Sequence, residues 1–134
     1  MTDANSKQIG GSHYHKPGVQ LWDILDDYGI GGLEFNVAKY AARHHKKNGL
    51  QDILKAGHYV NKLIENHKLK HRKPRGIVPE EVVEQWLREN QDLCEHSANA
   101  MRGILTWIQL GDLEDVLEEL SCIAWVTYNS QEIS

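Results

Sequence analysis

Residues 50–67 read Leu-Gln-Asp-Ile-Leu-Lys-Ala-Gly-His-Tyr-Val-Asn-Lys-Leu-Ile-Glu-Asn-His. Within them Leu50, Ile53, Leu54, Gly57, Val60, Leu63, Ile64 and His67 recur at i, i+3, i+4 and i+7. That spacing gathers them on one face of a helix and leaves the charged residues on the other. Upstream, Asn48-Gly49 is a helix stop, which closes a second helix running from Leu33 to about Lys47. Before that, Leu21, Trp22, Leu25 and Tyr28 predict a short leading helix over 19–28, ended by Gly29 and Gly31-Gly32.

Downstream the same reading continues. Pro79 opens a fourth helix, and Glu80 and Glu81 suit its positive end. Its stripe passes through Val82, Val83, Trp86, Leu87, Leu93, Cys94 and Met101 toward Ile108, with Gly103 as the point where a break is to be considered. A last helix from about Asp112 to Tyr128 carries Leu113, Val116, Leu117, Leu120, Ile123 and Thr127 on one face. No segment alternates with period two. The expectation is an all-α fold of about five helices: a four-helix core of two helix–turn–helix units behind the short leading helix. A weak internal repeat agrees with this. At an offset of 63 residues, Asn36-Val37-Ala38-Lys39 faces Asn99-Ala100-Met101-Arg102, and Leu50 to Lys55 faces Leu113 to Glu118.

The 134 residues are 40% hydrophobic and 25% charged, which fits one globular domain and excludes disordered and collagen-like classes. No run approaches the roughly 18 apolar residues of a membrane span. The polar stretch 1–11 reads as a flexible lead-in without the apolar region of a secretory signal. Cys94 and Cys122 make no disulfide framework, so a reducing cytoplasm is the expected compartment. Trp22, Trp86, Trp107 and Trp125 read as core or interface residues. The adjacent His44 and His45 point about 100° apart on a helix, a poor geometry for a shared metal.

The net charge of −4 conceals a sharp asymmetry: −3 over residues 1–35, +9 over 36–75 and −10 over 76–134. The basic middle suits an anionic ligand, and the opposed halves suit pairing within the chain or between copies of a homo-oligomer. The overall acidity argues against a dedicated nucleic-acid binder. On the second helix Asn36, Tyr40, Arg43 and Lys47 form one stripe, flanked by Lys39 and Lys46; on the third, Asp52, Lys55, Tyr59 and Lys62 lie beside the apolar face. A hairpin at Asn48-Gly49 would bring them together. Guanidinium and ammonium groups neutralise phosphate, and tyrosines stack on a base. The competing reading is a solvated basic face with tyrosines packed at its edge.

Ser12-His13-Tyr14, the Gln20-Leu-Trp-Asp23 helix, Asn36-x-x-Lys39-Tyr40-x-x-Arg43, then Lys47-Asn-Gly49, Asp52, Lys55-Ala56 and Tyr59 together resemble a family of small bacteriophage proteins, most without assigned function. One relative is the nucleotide kinase of a lytic coliphage, whose carboxyl-terminal half carries a similar block and which lacks a Walker-type loop. The resemblance covers residues 12–66. It implies a nucleotide or nucleotide-like phosphate ligand held by His13, Tyr14, Asn36, Lys39, Tyr40, Arg43, Lys47, Lys55 and Tyr59. If the chain is a kinase, Asp52, Arg43 and Lys55 are the catalytic set, with Asp52 positioning the acceptor or a metal. Phe35 stands where the family has glycine, and the kinase's cysteine-rich amino-terminal region has no counterpart.

Residues 67–78 then read as a basic linker and 79–134 as an acidic helical half of the same single domain. That half is similar to all-α MazG-type nucleotide pyrophosphohydrolases in its Glu80-Glu81-x-x-Glu84 motif, with Cys122 where a later carboxylate is expected. This resemblance makes Glu81, Glu84, Asp112 and Asp115 candidate Mg²⁺ ligands. Acidic outer faces of amphipathic helices explain the same residues. Three functions therefore compete: a nucleotide kinase or related enzyme, a non-catalytic sponge for a nucleotide second messenger of host antiviral defence, and an inhibitor that engages a host protein through its acidic helices. Arg43→Ala is expected to remove nucleotide binding without loss of fold.

Overall fold

A computed structural model describes residues 20–133. Among them lie six α-helices and no strand: α1 (Leu21–Asp27), α2 (Gly32–Arg43), α3 (Leu50–Lys70), α4 (Glu80–Glu89), α5 (Glu95–Thr106) and α6 (Leu110–Tyr128). A single 3₁₀ turn, His44–Lys46, follows α2. The all-α expectation holds, with one helix more than the sequence suggested.

The extra helix comes from a break at residues 90–94, well before Gly103, which lies inside α5. Asn90 ends α4 by folding its side-chain amide back to donate to the Trp86 carbonyl at 2.8 Å. Cys94 then caps α5, its sulfur accepting the Ser97 backbone N–H at 3.4 Å. A thiol here does the work usually done by serine or aspartate. The last helix starts earlier than expected, at Leu110, because Gln109 and Asp112 form a reciprocal capping box.

Two hairpins build the core. Helix α2 packs on α3, α5 packs on α6, and the pairs meet through α3 against α6 and α2 against α5, with α4 laid on α5. The offset of 63 residues carries the limits of α2 onto those of α5. It also matches buried positions: Val37 with Ala100, Ala38 with Met101, Ala41 with Ile104, Ile53 with Val116, Val60 with Ile123. The polar contacts between hairpins obey the same relation. Glu34, at the start of α2, accepts a hydrogen bond from the indole N–H of Trp107, just past α5, at 2.9 Å. Ser97, at the start of α5, meets the imidazole of His44, just past α2, at 2.8 Å. Ser97 and Trp107 are the counterparts of Glu34 and His44, so the two contacts exchange under a pseudo-twofold that sets α2 antiparallel to α5.

Glycine marks the closest approaches. A Cβ on Gly103 would lie 2.5 Å from Val116 Cγ2, where α5 meets α6. Gly49, which opens α3, has φ +58° and ψ −125°, a conformation open essentially to glycine alone. The segment after α3 is no loose linker. Val78 is fully buried and donates its backbone N–H to the Leu105 carbonyl at 2.9 Å. Gly76 sits so tightly on the Tyr28 carbonyl that a Cβ there would overlap it.

Candidate anion-binding site

Part of the two predicted stripes meets at the α2–α3 hairpin, Tyr40 and Arg43 of α2 with Asp52, Lys55 and Tyr59 of α3, whereas Lys62 pairs with Glu65 one turn on. Tyr40 from α2 and Tyr59 from α3 stack with ring planes 7° apart and centroids 6.1 Å apart. Around the Tyr40 ring lie three cationic heads: the Arg43 guanidinium at 4.7 Å, the Lys39 ammonium at 5.2 Å and the Lys55 ammonium at 5.4 Å from its centroid. The ring quadrupole attracts each of them, worth about 0.5–1 kcal/mol apiece at partly exposed sites. They repel one another. Among the described residues neither Lys39 nor Lys55 has a carboxylate within ion-pairing distance. The result is a half-exposed aromatic platform under a concentration of positive charge, an arrangement suited to a ligand with a planar ring and phosphates.

Arg43 is the one cation of the three with a counter-ion. Its Nε and Nη2 donate to Asp52 Oδ2 and Oδ1, each at 3.4 Å, and Asp52 also accepts the Asn48 backbone N–H at 3.2 Å. Asp52 has no exposed side-chain surface, whereas Arg43 keeps 28% of its own. The carboxylate is spent on tying the hairpin turn to α2, which leaves no face open for a metal or an acceptor hydroxyl. Asn36 lies half-buried one turn before Tyr40, and Lys47 is exposed at the turn. His13 and Tyr14 lie outside the described residues.

His44, next in the chain after Arg43, is buried between the hairpins. Its Nδ1 meets the Tyr128 hydroxyl at 2.7 Å and its Nε2 the Ser97 hydroxyl, which also accepts the Cys94 thiol at 3.2 Å. Burial, reinforced by the neighbouring His45, lowers the His44 pKa to about 4, so the ring is neutral at pH 7, with one nitrogen donating and the other accepting. Burial also pushes the Tyr128 phenol up. The two histidines diverge, as expected for adjacent helical positions: His45 and Lys46 turn outward to Asp92 at 3.1 and 2.7 Å. Nothing in the sequence marks Ser97 or Tyr128 as partners of His44, because they lie 53 and 84 residues away.

The candidate metal quartet is not assembled. Asp112 accepts the backbone N–H groups of Ile108 and Gln109 at 2.9 and 3.2 Å and so belongs to the α6 cap. Glu84 takes a two-pronged contact from Arg102 at 2.7 and 3.0 Å, whose hydrogen bonds hold its carboxyl below the usual range. Glu81 and Asp115 face solvent on different helices. Among the described residues no three His, Cys, Asp or Glu side chains gather as a metal site. Once the helices pack, Asp112 is taken up by the α6 cap and Glu84 by Arg102.

Fold and site together define an all-α protein of two related helical hairpins with a cation-ringed tyrosine pair on the first. Residues 9–61 match a family described as proteins of unknown function, DUF3310. The match takes in α1, α2 and the first half of α3, hence every described residue of the tyrosine platform. No curated protein and no solved structure matches the chain. No helix among the described residues is long and apolar enough to cross a membrane.

Proposed function

We propose that the chain, read as phage-encoded from its motif resemblance, binds a nucleotide or nucleotide-like phosphate ligand on the Tyr40–Tyr59 platform. The observation that carries this reading is the placing of three cationic heads within about 5 Å of one stacked tyrosine ring. Tyrosine offers a π-face to any base, and Lys39, Arg43 and Lys55 supply charge for phosphates. Between turnover and capture, the burial of Asp52 favours capture. A kinase needs a carboxylate free to position an acceptor or metal, and this one is enclosed by Arg43 and the Asn48 amide. The sponge reading is therefore preferred to the kinase reading.

A thermal-shift panel of mono-, di-, tri- and cyclic nucleotides, each with and without Mg²⁺, tests this. At least one nucleotide should raise the melting temperature of the wild type and remain unconverted in the same tube. The Lys39→Ala/Lys55→Ala variant should lose that response while melting within a few degrees of wild type. No shift with any nucleotide, or an undiminished shift in the double variant, overturns the proposal. Conversion of the bound nucleotide restores the enzyme reading.

A further inference from the structure

A second site lies at the other end of α2. Gly31 is the N-cap of that helix and offers no side chain to cap it, and among the described residues no side chain hydrogen-bonds its first backbone N–H groups. The same end opens on a cleft of about 60 Å³ lined by Gly32, Leu33, Glu34 and Asn66, with Arg72, Lys73 and Arg75 arriving from the segment after α3. A water needs about 10–15 Å³ by this measure, so the cleft has room for one small ligand but not a nucleotide.

Two acceptors inside it are unusual. Asn66 is 5% exposed, and its Oδ1 is buried with no hydrogen-bond partner, the only such side-chain atom among the described residues. Glu34 is 7% exposed; its Oε2 is held by Trp107, while Oε1 sits against Gly31. A helix N-terminus and three basic side chains call for an oxyanion. A buried carboxylate and an orphaned carbonyl oxygen call for a donor. One kind of ligand answers both demands: an oxyanion that still carries a proton.

We propose that this cleft binds a singly protonated phosphoryl group, either free hydrogen phosphate or the monoanion of a small phosphomonoester, which takes up a proton on binding at neutral pH. The unprotonated oxygens take the Gly32 and Leu33 amides and the Arg72, Lys73 and Arg75 side chains. The P–OH donates to Glu34 Oε1, or to Asn66 Oδ1 once that side chain turns toward the cleft. The arrangement discriminates against sulfate, which has the shape and charge of hydrogen phosphate but no proton at neutral pH and would bring two oxygens against acceptors. This site is separate from the tyrosine platform and stands or falls independently of it.

Titration calorimetry on the full chain with inorganic phosphate, glycerol phosphate and sulfate, at matched ionic strength, tests the assignment. Phosphate should bind at least tenfold more tightly than sulfate. Glycerol phosphate binding as well as phosphate identifies an ester as ligand; binding of inorganic phosphate alone identifies the free ion. Arg72→Gln/Arg75→Gln changes exposed side chains and should weaken phosphate at least tenfold with the circular dichroism spectrum intact. Glu34→Gln keeps an oxygen for Trp107 but adds a donor, and should narrow the phosphate-to-sulfate ratio. Absence of phosphate binding, equal affinity for sulfate in the wild type, or unchanged phosphate affinity in the arginine double variant overturns the proposal.

Discussion

Arg43 and Asp52 show how a residue chosen for chemistry can be held by structure. Removing Arg43 would leave a fully enclosed carboxylate with one backbone donor, and uncompensated buried charges cost several kcal/mol. Arg43→Ala should therefore lower stability by roughly 3 kcal/mol. Arg43→Met with Asp52→Asn should recover most of it, because the charge is removed with its partner; urea melts of both variants check this. His44 gives a pH signature. Its folded pKa of about 4 lies below the ordinary 6.5, so the unfolded chain takes up a proton first as pH falls. Its contribution is complete above pH 6.5 and is lost between 6.5 and 4, with a slope of up to about 1 kcal/mol per pH unit. The urea midpoint should fall over that window in the wild type and flatten in His44→Gln.

Helices were legible where an apolar face repeats without interruption, and their ends were legible where glycine or proline writes them. Helix α3 is legible from Leu50, Ile53, Val60 and Leu63 because the periodicity survives any packing partner. The division between α4 and α5 is not, because Leu93, Cys94 and Met101 continue the stripe in sequence while the backbone breaks at Asn90. A cysteine N-cap and a glutamine in a capping box are outside the usual cap preferences. The candidate site divides the same way. The cation-ringed tyrosines follow from helical spacing plus a hairpin, whereas Asn66 opposite the start of α2 needs tertiary contacts to be seen. Gly103→Ala tests the element contact itself. Alanine raises helix propensity by up to about 1 kcal/mol, but its methyl would strike the stiff, buried Val116. Overpacking of this kind costs about 1–3 kcal/mol, so a net loss is expected in thermal melts. Gly49→Ala should also destabilise, by about 1–3 kcal/mol, through backbone strain.

Across the whole molecule, charge and symmetry run in opposite senses. The two hairpins agree in helix limits and buried positions, yet residues 36–75, which hold most of the first, carry +9 and residues 76–134, which hold the second, carry −10. Related scaffolds have been given unlike surfaces, which places both proposed anion sites on the first hairpin and its following segment. The crossed contacts, Glu34 with Trp107 and Ser97 with His44, join the hairpins at both ends of the α2–α5 pairing. Trp107→Phe or Ser97→Ala should each cost about 1–3 kcal/mol, because each strands a buried polar partner; comparing denaturation midpoints measures this. The pseudo-twofold has one more consequence. Every contact between the hairpins is available between the first hairpin of one copy and the second hairpin of another. The stretch from Arg72 to Pro79 decides whether those contacts close within a chain or across two. Shortening it by three residues should favour closure across two chains, giving an exchanged dimer whose doubled mass light scattering reports, with a lower melting temperature from the lost Gly76 and Val78 contacts.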